Sequence, residues 1–537
     1  MHRAGSSQFN YDERLIDGLR QPGAFRHSVS TVEIIQTHIS WLILTDDYVY
    51  KIKKPIKLDF LDFSTLERRK FFCNEEIRLN QPWAPSLYIG VVPITIEGGQ
   101  PLVDGSGEAI EFAVRMRRFA QALRLDQQLE AGVLTVPDMQ ELAANIASRH
   151  SAATIIAVPE RARVLRLTRE LMEDNFPVLE KSIDAALLER LREWTDRELE
   201  KKQELLEHRF DNGMVRDCHG DLHLENLVRL ADGITSFDCI EFNDDLRHID
   251  VMCDVGFLVM DLAARNREDL AAHFLNRYLE ISGDYEGVAV LDLFFVYRCL
   301  VRAKVAVILS QERMDAAAAA ADLEEALFYC DLAGRRISAQ KSFLLVMHGF
   351  SGCGKTWVSG QLMASLPAIR LRSDIERKRI FGVAENQSSQ SGLGAGIYSE
   401  DAGRVTYERL FELARPILES GHSVILDAAF LAGTRRAQAV ALGRECDCPV
   451  VIVDVQADRA AMEHRLAMRQ RNQADASEAD VEVLTNQATS ADALTSTEKE
   501  MTVGCDNSRE FDLAELVCRI AQCGGSQQGS AASHHIN

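Results

Sequence analysis

The chain contains no Cys-x-x-Cys pair. Its 12 cysteines are scattered, and the nearest approach, Cys446-Asp447-Cys448, is too tight for ordinary zinc spacing, which excludes a zinc-ribbon or disulfide scaffold and implies reduced thiols in a cytoplasmic protein. Long apolar runs are missing as well. A spanning helix needs about 18 uninterrupted apolar residues. The greasiest segments here are broken by Asp261 or by Arg298, Arg302 and Lys304, so no membrane contact is expected. The opening MHRAGSSQFNYDERL places acidic residues where a secretory signal has its apolar centre. Positive charge is scarce: Lys+Arg total 60 against 81 Asp+Glu, a formal charge of −21, which removes any whole-chain attraction to nucleic acid. No internal repeat is visible.

With 46% hydrophobic and 26% charged residues, the chain has the balance of a globular protein, and 537 residues suffice for several domain-sized cores. Residues 29–60 alternate as strands, Leu66–Leu79 is helical, Gly90–Ile96 and Ala109–Phe119 return to strand, and helical periodicity dominates from Val136. A strand–loop–strand section near 214–242 interrupts the helices, which resume from Ile249 to Leu332. Gly334 is expected to end the last of these helices in a left-handed cap. Beyond it, SFLLVMHG, SVILDAAF and PVVIVDVQ alternate with helices as in a parallel α/β sheet. The expected order is an N-terminal extension (1–28), an α+β two-lobed unit (29–338), an α/β P-loop unit (341–523) and a disordered tail (524–537).

Gly349-Phe350-Ser351-Gly352-Cys353-Gly354-Lys355-Thr356 fits G-x-x-x-x-G-K-[ST], the Walker A pattern, directly after an apolar strand. Its glycines let backbone N–H groups turn toward phosphates; Lys355 suits the β- and γ-phosphates and the Thr356 hydroxyl a Mg2+ ion. Asp427 ends a buried strand, where a carboxylate can face the same metal or simply cap the strand. Asp374 reads equally as part of a Ser373-Asp374 helix cap and as a general base on a substrate hydroxyl. Arg465 and Arg469 share a helix face and are candidates to stabilise a transferring phosphoryl group, or else form a solvated charge face. Here the chain resembles the small P-loop kinases that phosphorylate metabolites or nucleosides, and SDIERKRIFG, VILDAAF and RQRNQADASEAD look like a predicted-kinase family within that group.

A different constellation begins at His219-Gly220-Asp221-Leu222-His223-Leu224-Glu225-Asn226. The Asp-x4-Asn spacing is that of a kinase catalytic loop, with Asp221 taking the acceptor's proton and Asn226 holding Mg2+. Asp238, at the end of ITSFD, suits the second metal-binding carboxylate. A cation for the α/β-phosphates and its acidic helical partner lie upstream: Lys51 with Glu76 is preferred, and Lys53 is an almost equal alternative to Lys51. Asp254 is expected to brace the loop, and THIS at 37–40 is the only candidate phosphate-covering turn, since no G-x-G-x-x-G precedes Lys51.

With these motifs, residues 29–335 resemble the aminoglycoside phosphotransferase/choline-kinase branch of the protein-kinase-like fold. The tandem order looks like a bacterial fusion of such a domain with a predicted P-loop kinase. That resemblance implies a cytoplasmic, ATP- and Mg2+-dependent bifunctional kinase acting on small-molecule hydroxyls, with no nucleic-acid partner. Two alternatives stay open: a regulatory ATP-binding protein, and a C-terminal polynucleotide 5′-hydroxyl kinase.

Overall fold

The computed structural model describes residues 14–525 apart from 59–60, 339–341, 386, 390, 392–394 and 473–476. Residues 1–13 of the expected extension, 339–341 at the expected boundary, 473–476 of the RQRNQADASEAD stretch and the tail from 526 lie outside the described residues. The chain divides into two compact units, each built from two segments: Met1–Leu171 with Gln203–Asp261, and Met172–Lys202 with Leu262–Asn537. This division differs from the sequence boundary near 340. The helices from 262 to 336 cluster with the C-terminal sheet, because the Glu268–Ser282 helix packs on the Lys355–Ser365 helix and on the strand beside it.

In the first unit, β1 (Glu33–Gln36), β2 (Ser40–Leu44), β3 (Tyr48–Lys53), β6 (Tyr88–Glu97), β7 (Gln100–Val103) and β8 (Ala109–Arg117) form an antiparallel sheet in the order β1-β2-β3-β8-β6-β7. A small hairpin, β4 (Lys57–Leu58) with β5 (Leu61–Asp62), follows β3. Ile43, Ile52, Val92 and Ala113 face one core, to which residues 14–28 add Leu15, Ile16, Leu19 and Phe25, so that segment belongs to the lobe's interior. The Leu66–Asn80 helix starts at Thr65, whose hydroxyl accepts from the Arg68 amide, and packs on β6 and β8. Two further pairs carry the loops of interest: β9 (Val215–Asp217) with β12 (His248–Asp250), and the hairpin β10 (Leu227–Leu230) with β11 (Gly233–Ser236).

The second unit is centred on a parallel sheet of β13 (Leu344–His348), β14 (Ala368–Arg372), β15 (Ser423–Asp427), β16 (Val450–Gln456) and β17 (Thr502–Asp506), ordered β14-β15-β13-β16-β17. Its strands are nearly continuous apolar runs, as burial on both faces requires. The Ala316–Arg336 helix does not end at Gly334. It runs through that residue to Arg336, and Gly334 is buried where a Cβ would come within 3.0 Å of Arg190 and 3.1 Å of Leu187, so the glycine serves close helix packing and not a left-handed cap. Among the described residues no helix is long and apolar enough to cross a membrane, and all 12 cysteines are free.

Candidate active sites

Because β3 alternates its faces, Lys51 and Lys53 point the same way, toward the buried side of the Leu66–Asn80 helix. Lys51 Nζ lies 2.9 Å from Glu76 Oε1 and 2.5 Å from Asp238 Oδ1. Lys53 Nζ lies 2.7 Å from the other oxygen, Glu76 Oε2, and also bonds Glu241. Burial alone would lower the pKa of Lys51, yet Asp238, Glu76 and Glu241 hold it well above the usual value; burial opposes ionisation of Glu76 in the same way, and the two lysines keep it a carboxylate. Two cations thus face three carboxylates: burial pushes the pKa of Glu241 up, while Asp238 is the one whose side chain reaches solvent, 45% exposed.

The His219–Asn226 loop follows β9 and is tied down from below. Asp254 accepts from the backbone N–H of His219 (2.8 Å) and Gly220 (3.0 Å), as expected of a brace, and Asp261 accepts from Leu224 N at 2.9 Å. Gly220 has φ +84, and a Cβ there would meet the Leu246 carbonyl at 2.7 Å. Asn226 Nδ2 donates to Asp221 Oδ2 at 2.8 Å, so the spaced Asp and Asn do meet. His223 Nε2 is 3.3 Å from the same carboxylate oxygen. His219 is fully buried, and burial lowers its pKa; Nε2 lies 3.0 Å from the Phe237 carbonyl and Nδ1 3.3 Å from the Asp221 amide, an arrangement suited to the neutral ring. Asp238 lies two residues beyond β11, with φ 62 and its amide donating to the Tyr88 hydroxyl at 3.1 Å.

In the second unit the phosphate-type loop joins β13 to the Lys355–Ser365 helix. Gly349, Gly352 and Gly354 all have positive φ, and a Cβ on them would come within 2.4 Å of the Val455 carbonyl, 2.8 Å of the Met462 carbonyl and 2.1 Å of Asn507 Nδ2. The cradle therefore requires glycine at each position. Lys355 Nζ turns onto its own loop, bonding the Gly349 (2.9 Å) and Phe350 (2.8 Å) carbonyls. Asp427 ends β15, buried, and accepts from Ser359 Oγ at 3.0 Å. A cavity of about 1320 Å³ opens over the loop, bordered by Ser351, Lys355, Thr356, Asp374, Asp427, Arg465 and Arg469 among others.

Asp374 sits in the first turn of the Ser373–Ile380 helix, which is flanked by Arg372 and has no side-chain cap; the cap reading of Ser373-Asp374 does not hold. Arg377 lies 3.3 Å from Asp374 and stacks on Tyr398, two cavity residues with no linear signature. Arg465 is committed to the loop: it donates to the carbonyls of Cys353 (3.1 Å) and Asn507 (2.7 Å). The Ser351 amide donates to Gln487 Oε1 at 2.7 Å, from the Val481–Ser490 helix. Sequence reasoning also missed Lys53–Glu241 as a second pair, since the two residues are 188 positions apart and only the period-two pattern around Lys51 hinted at it.

A sheet-and-loop constellation of this kind, followed by a glycine-cradled loop on a parallel sheet, defines a kinase-like phosphotransferase region ahead of a P-loop kinase-like domain. The family models agree: "Phosphotransferase enzyme family" matches residues 109–291 and "AAA domain" matches 344–494. Uncharacterized proteins of Mycobacterium tuberculosis and Mycobacterium bovis are each 30% identical over 440 residues, covering 80% of this chain and 85% of theirs. The chain belongs to their family, a fusion of the two kinase-like domains. Among solved structures, choline kinase from Cryptosporidium parvum matches 57% of this chain and 86% of its own at 14% identity and a TM-score of 0.33. A putative kinase from Chloroflexus aurantiacus matches 34% of this chain and 98% of its own at 20% identity and a TM-score of 0.29.

Proposed function

We propose that the protein is an ATP- and Mg2+-dependent phosphotransferase with two nucleotide sites, each serving the hydroxyl of a small-molecule acceptor. The observation that supports the reading is that each unit gathers its own lysine and carboxylates: Lys51 with Glu76 and Asp238, and Asp221 with Asn226, in the first, and Lys355, Thr356, Asp374 and Asp427 around one cavity in the second. MgATP, when bound, supplies the phosphoryl group and the metal that screens its charge.

In the first unit, Lys51 would neutralise nucleotide phosphates while Glu76 keeps it oriented. Asp238 and Asn226 suit the metal, and the fit rests on the exposed carboxylate of Asp238 next to the Lys51 cation. Asp221, held by Asn226 and close to His223, would accept the acceptor's proton. In the second unit, the glycines Gly349, Gly352 and Gly354 would form the cradle, with the Ser351 and Cys353 amides exchanging Gln487 Oε1 and the Phe350 carbonyl for phosphate oxygens, and the fit rests on the absence of room for any Cβ at the glycines. Lys355 would exchange its loop carbonyls for phosphate oxygens; Thr356 and Asp427 suit the metal, and Asp374 the acceptor hydroxyl. Arg465 would act by fixing the loop and Arg469, which borders the cavity, by meeting developing charge.

The test is titration of the full chain with a non-hydrolysable ATP analogue and Mg2+, followed by a metabolite screen for transfer of labelled γ-phosphate. Two bound nucleotides are expected, and Lys355→Ala should remove one. A single site abolished by Lys355→Ala would leave the first unit a non-binding kinase fold, and no labelled product from any acceptor would favour regulatory binding.

A further inference from the structure

On the Glu268–Ser282 helix of the second unit, one carboxylate is shared by three guanidinium groups. Glu280 Oε1 accepts from Arg370 Nη2 at 2.8 Å, and Oε2 lies 3.3 Å from Arg277 Nη1 and 3.8 Å from Arg372 Nη1. The side chain is 2% exposed. Burial alone would raise its pKa, but Arg370 and Arg372 lower it, so the group is a buried anion. One turn earlier, Asn276 closes the free edge of β14: its Oδ1 accepts from Arg370 N at 2.6 Å, and its Nδ2 donates to the Ala368 carbonyl at 3.1 Å. The outermost strand of the parallel sheet is thereby paired by a side-chain amide instead of by another strand.

Arg370 then reaches inward. Its Nη1 donates to the Thr356 carbonyl at 3.3 Å, in the first turn after the glycine cradle, and a Cβ on Gly360 would lie 3.3 Å from that nitrogen, so the glycine keeps the approach open. Arg372, at the far end of the same strand, borders the cavity two residues before Asp374. We propose that Glu280 is a positioning residue of the P-loop site, holding Arg370 against Thr356 and Arg372 beside Asp374. The helix that carries it is then part of this nucleotide site, although it falls within the segment matched by the phosphotransferase model. The inference rests on the reading that the Gly349–Thr356 loop binds a magnesium nucleotide. Neutralising Glu280 leaves Arg370 and Arg372 without the anion they share, while Arg277 keeps Glu385 at 2.9 Å. The repulsion between Arg370 and Arg372 draws Arg370 off the Thr356 carbonyl and loosens the turn that presents the Thr356 hydroxyl.

Trp357, 52% exposed and bordering the cavity, reports on this turn. The experiment follows its fluorescence in the full chain during titration with a non-hydrolysable ATP analogue, with Trp357→Phe as the blank and Lys355→Ala as the loss-of-site control. Glu280→Gln and Arg370→Met should each weaken Mg2+-dependent binding about tenfold and raise the Mg2+ concentration giving half the response. Mg2+-free binding should stay within about twofold, a split that general loosening would not produce. Arg370→Met leaves Glu280 with Arg277 and Arg372, so it reports even if Glu280→Gln fails to melt cooperatively. Unchanged Mg2+ dependence in the folded variants, or equal loss with and without Mg2+, overturns the proposal. A parent chain with no response sensitive to Lys355→Ala overturns the nucleotide reading itself, and this inference with it.

Discussion

Lys51 and Lys53 grip opposite oxygens of one carboxylate, Glu76, from the same strand face. Only Lys51 continues to Asp238; Lys53 is closed off by Glu241, with no exposed side-chain surface. The two lysines that the sequence left nearly interchangeable therefore occupy different electrostatic positions.

Their variants should fail differently. Lys51→Met is expected to weaken nucleotide binding by the first unit tenfold or more, since it removes the cation beside Asp238. Lys53→Met is expected to act on stability, because breaking a buried pair typically costs about 3–5 kcal/mol. Thermal melts beside analogue titrations separate the two. Loss of binding in Lys53→Met at an unchanged Tm would reverse the assignment.

Asp221 and Asp238 offer a second contrast. Asp221→Asn should leave MgATP affinity nearly intact while abolishing transfer, since a proton acceptor matters only along the reaction path. Asp238→Asn should weaken Mg2+-dependent binding itself. Full affinity and turnover in Asp238→Asn would remove the metal role from this carboxylate.

Acid should destabilise the loop through His219. Burial places its folded pKa below the unfolded value of about 6.5, so the unfolded chain takes up the proton first as pH falls. The stability contribution is complete above about pH 6.5 and declines below it, by at most about 1.4 kcal/mol per pH unit, until the folded pKa is passed. His219→Gln should flatten the fall of Tm between about pH 7 and 5 relative to the parent. His422 and His273 are lowered by burial as well, so the difference between the two proteins is the measure. Parallel slopes would show that His219 titrates alike in both states.

A chain cut at 340 should also reveal where the second unit begins. Residues 341–537 alone lack Asn276 and Glu280, leaving the edge of β14 unpaired and Arg370 without its partner. This fragment is expected to aggregate or melt without a cooperative transition. A sharp melt equal to that of the full chain would show that the sheet does not need the helices before it.

What the sequence disclosed follows from how local each feature is. The Gly349–Thr356 run and the Asp221–Asn226 spacing are contiguous, because a loop that wraps phosphates or metals must supply its groups within a few residues. The meander from Glu33 to Lys53 was readable for a similar reason, as alternation reflects burial of one face. Gly334 misled because a glycine that permits close packing is indistinguishable in one dimension from one that ends a helix. Glu280, Asn276 and Glu241 were invisible, since their partners lie 90, 94 and 188 residues away and carry no pattern of their own.

The interleaving of the two units also bears on biosynthesis. The Ala185–Lys201 helix packs against the Ala316–Arg336 helix, yet it leaves the ribosome more than a hundred residues earlier. At roughly 5–20 residues per second, it waits on the order of ten seconds for that neighbour, while the whole 203–261 segment of the other unit is being made. Nine of its 17 residues are charged, which keeps the waiting helix hydrated and its leucine stripe narrow. None of these charged residues is buried in the finished fold, so the face that keeps the helix hydrated while it waits is the one it still turns outward at the end.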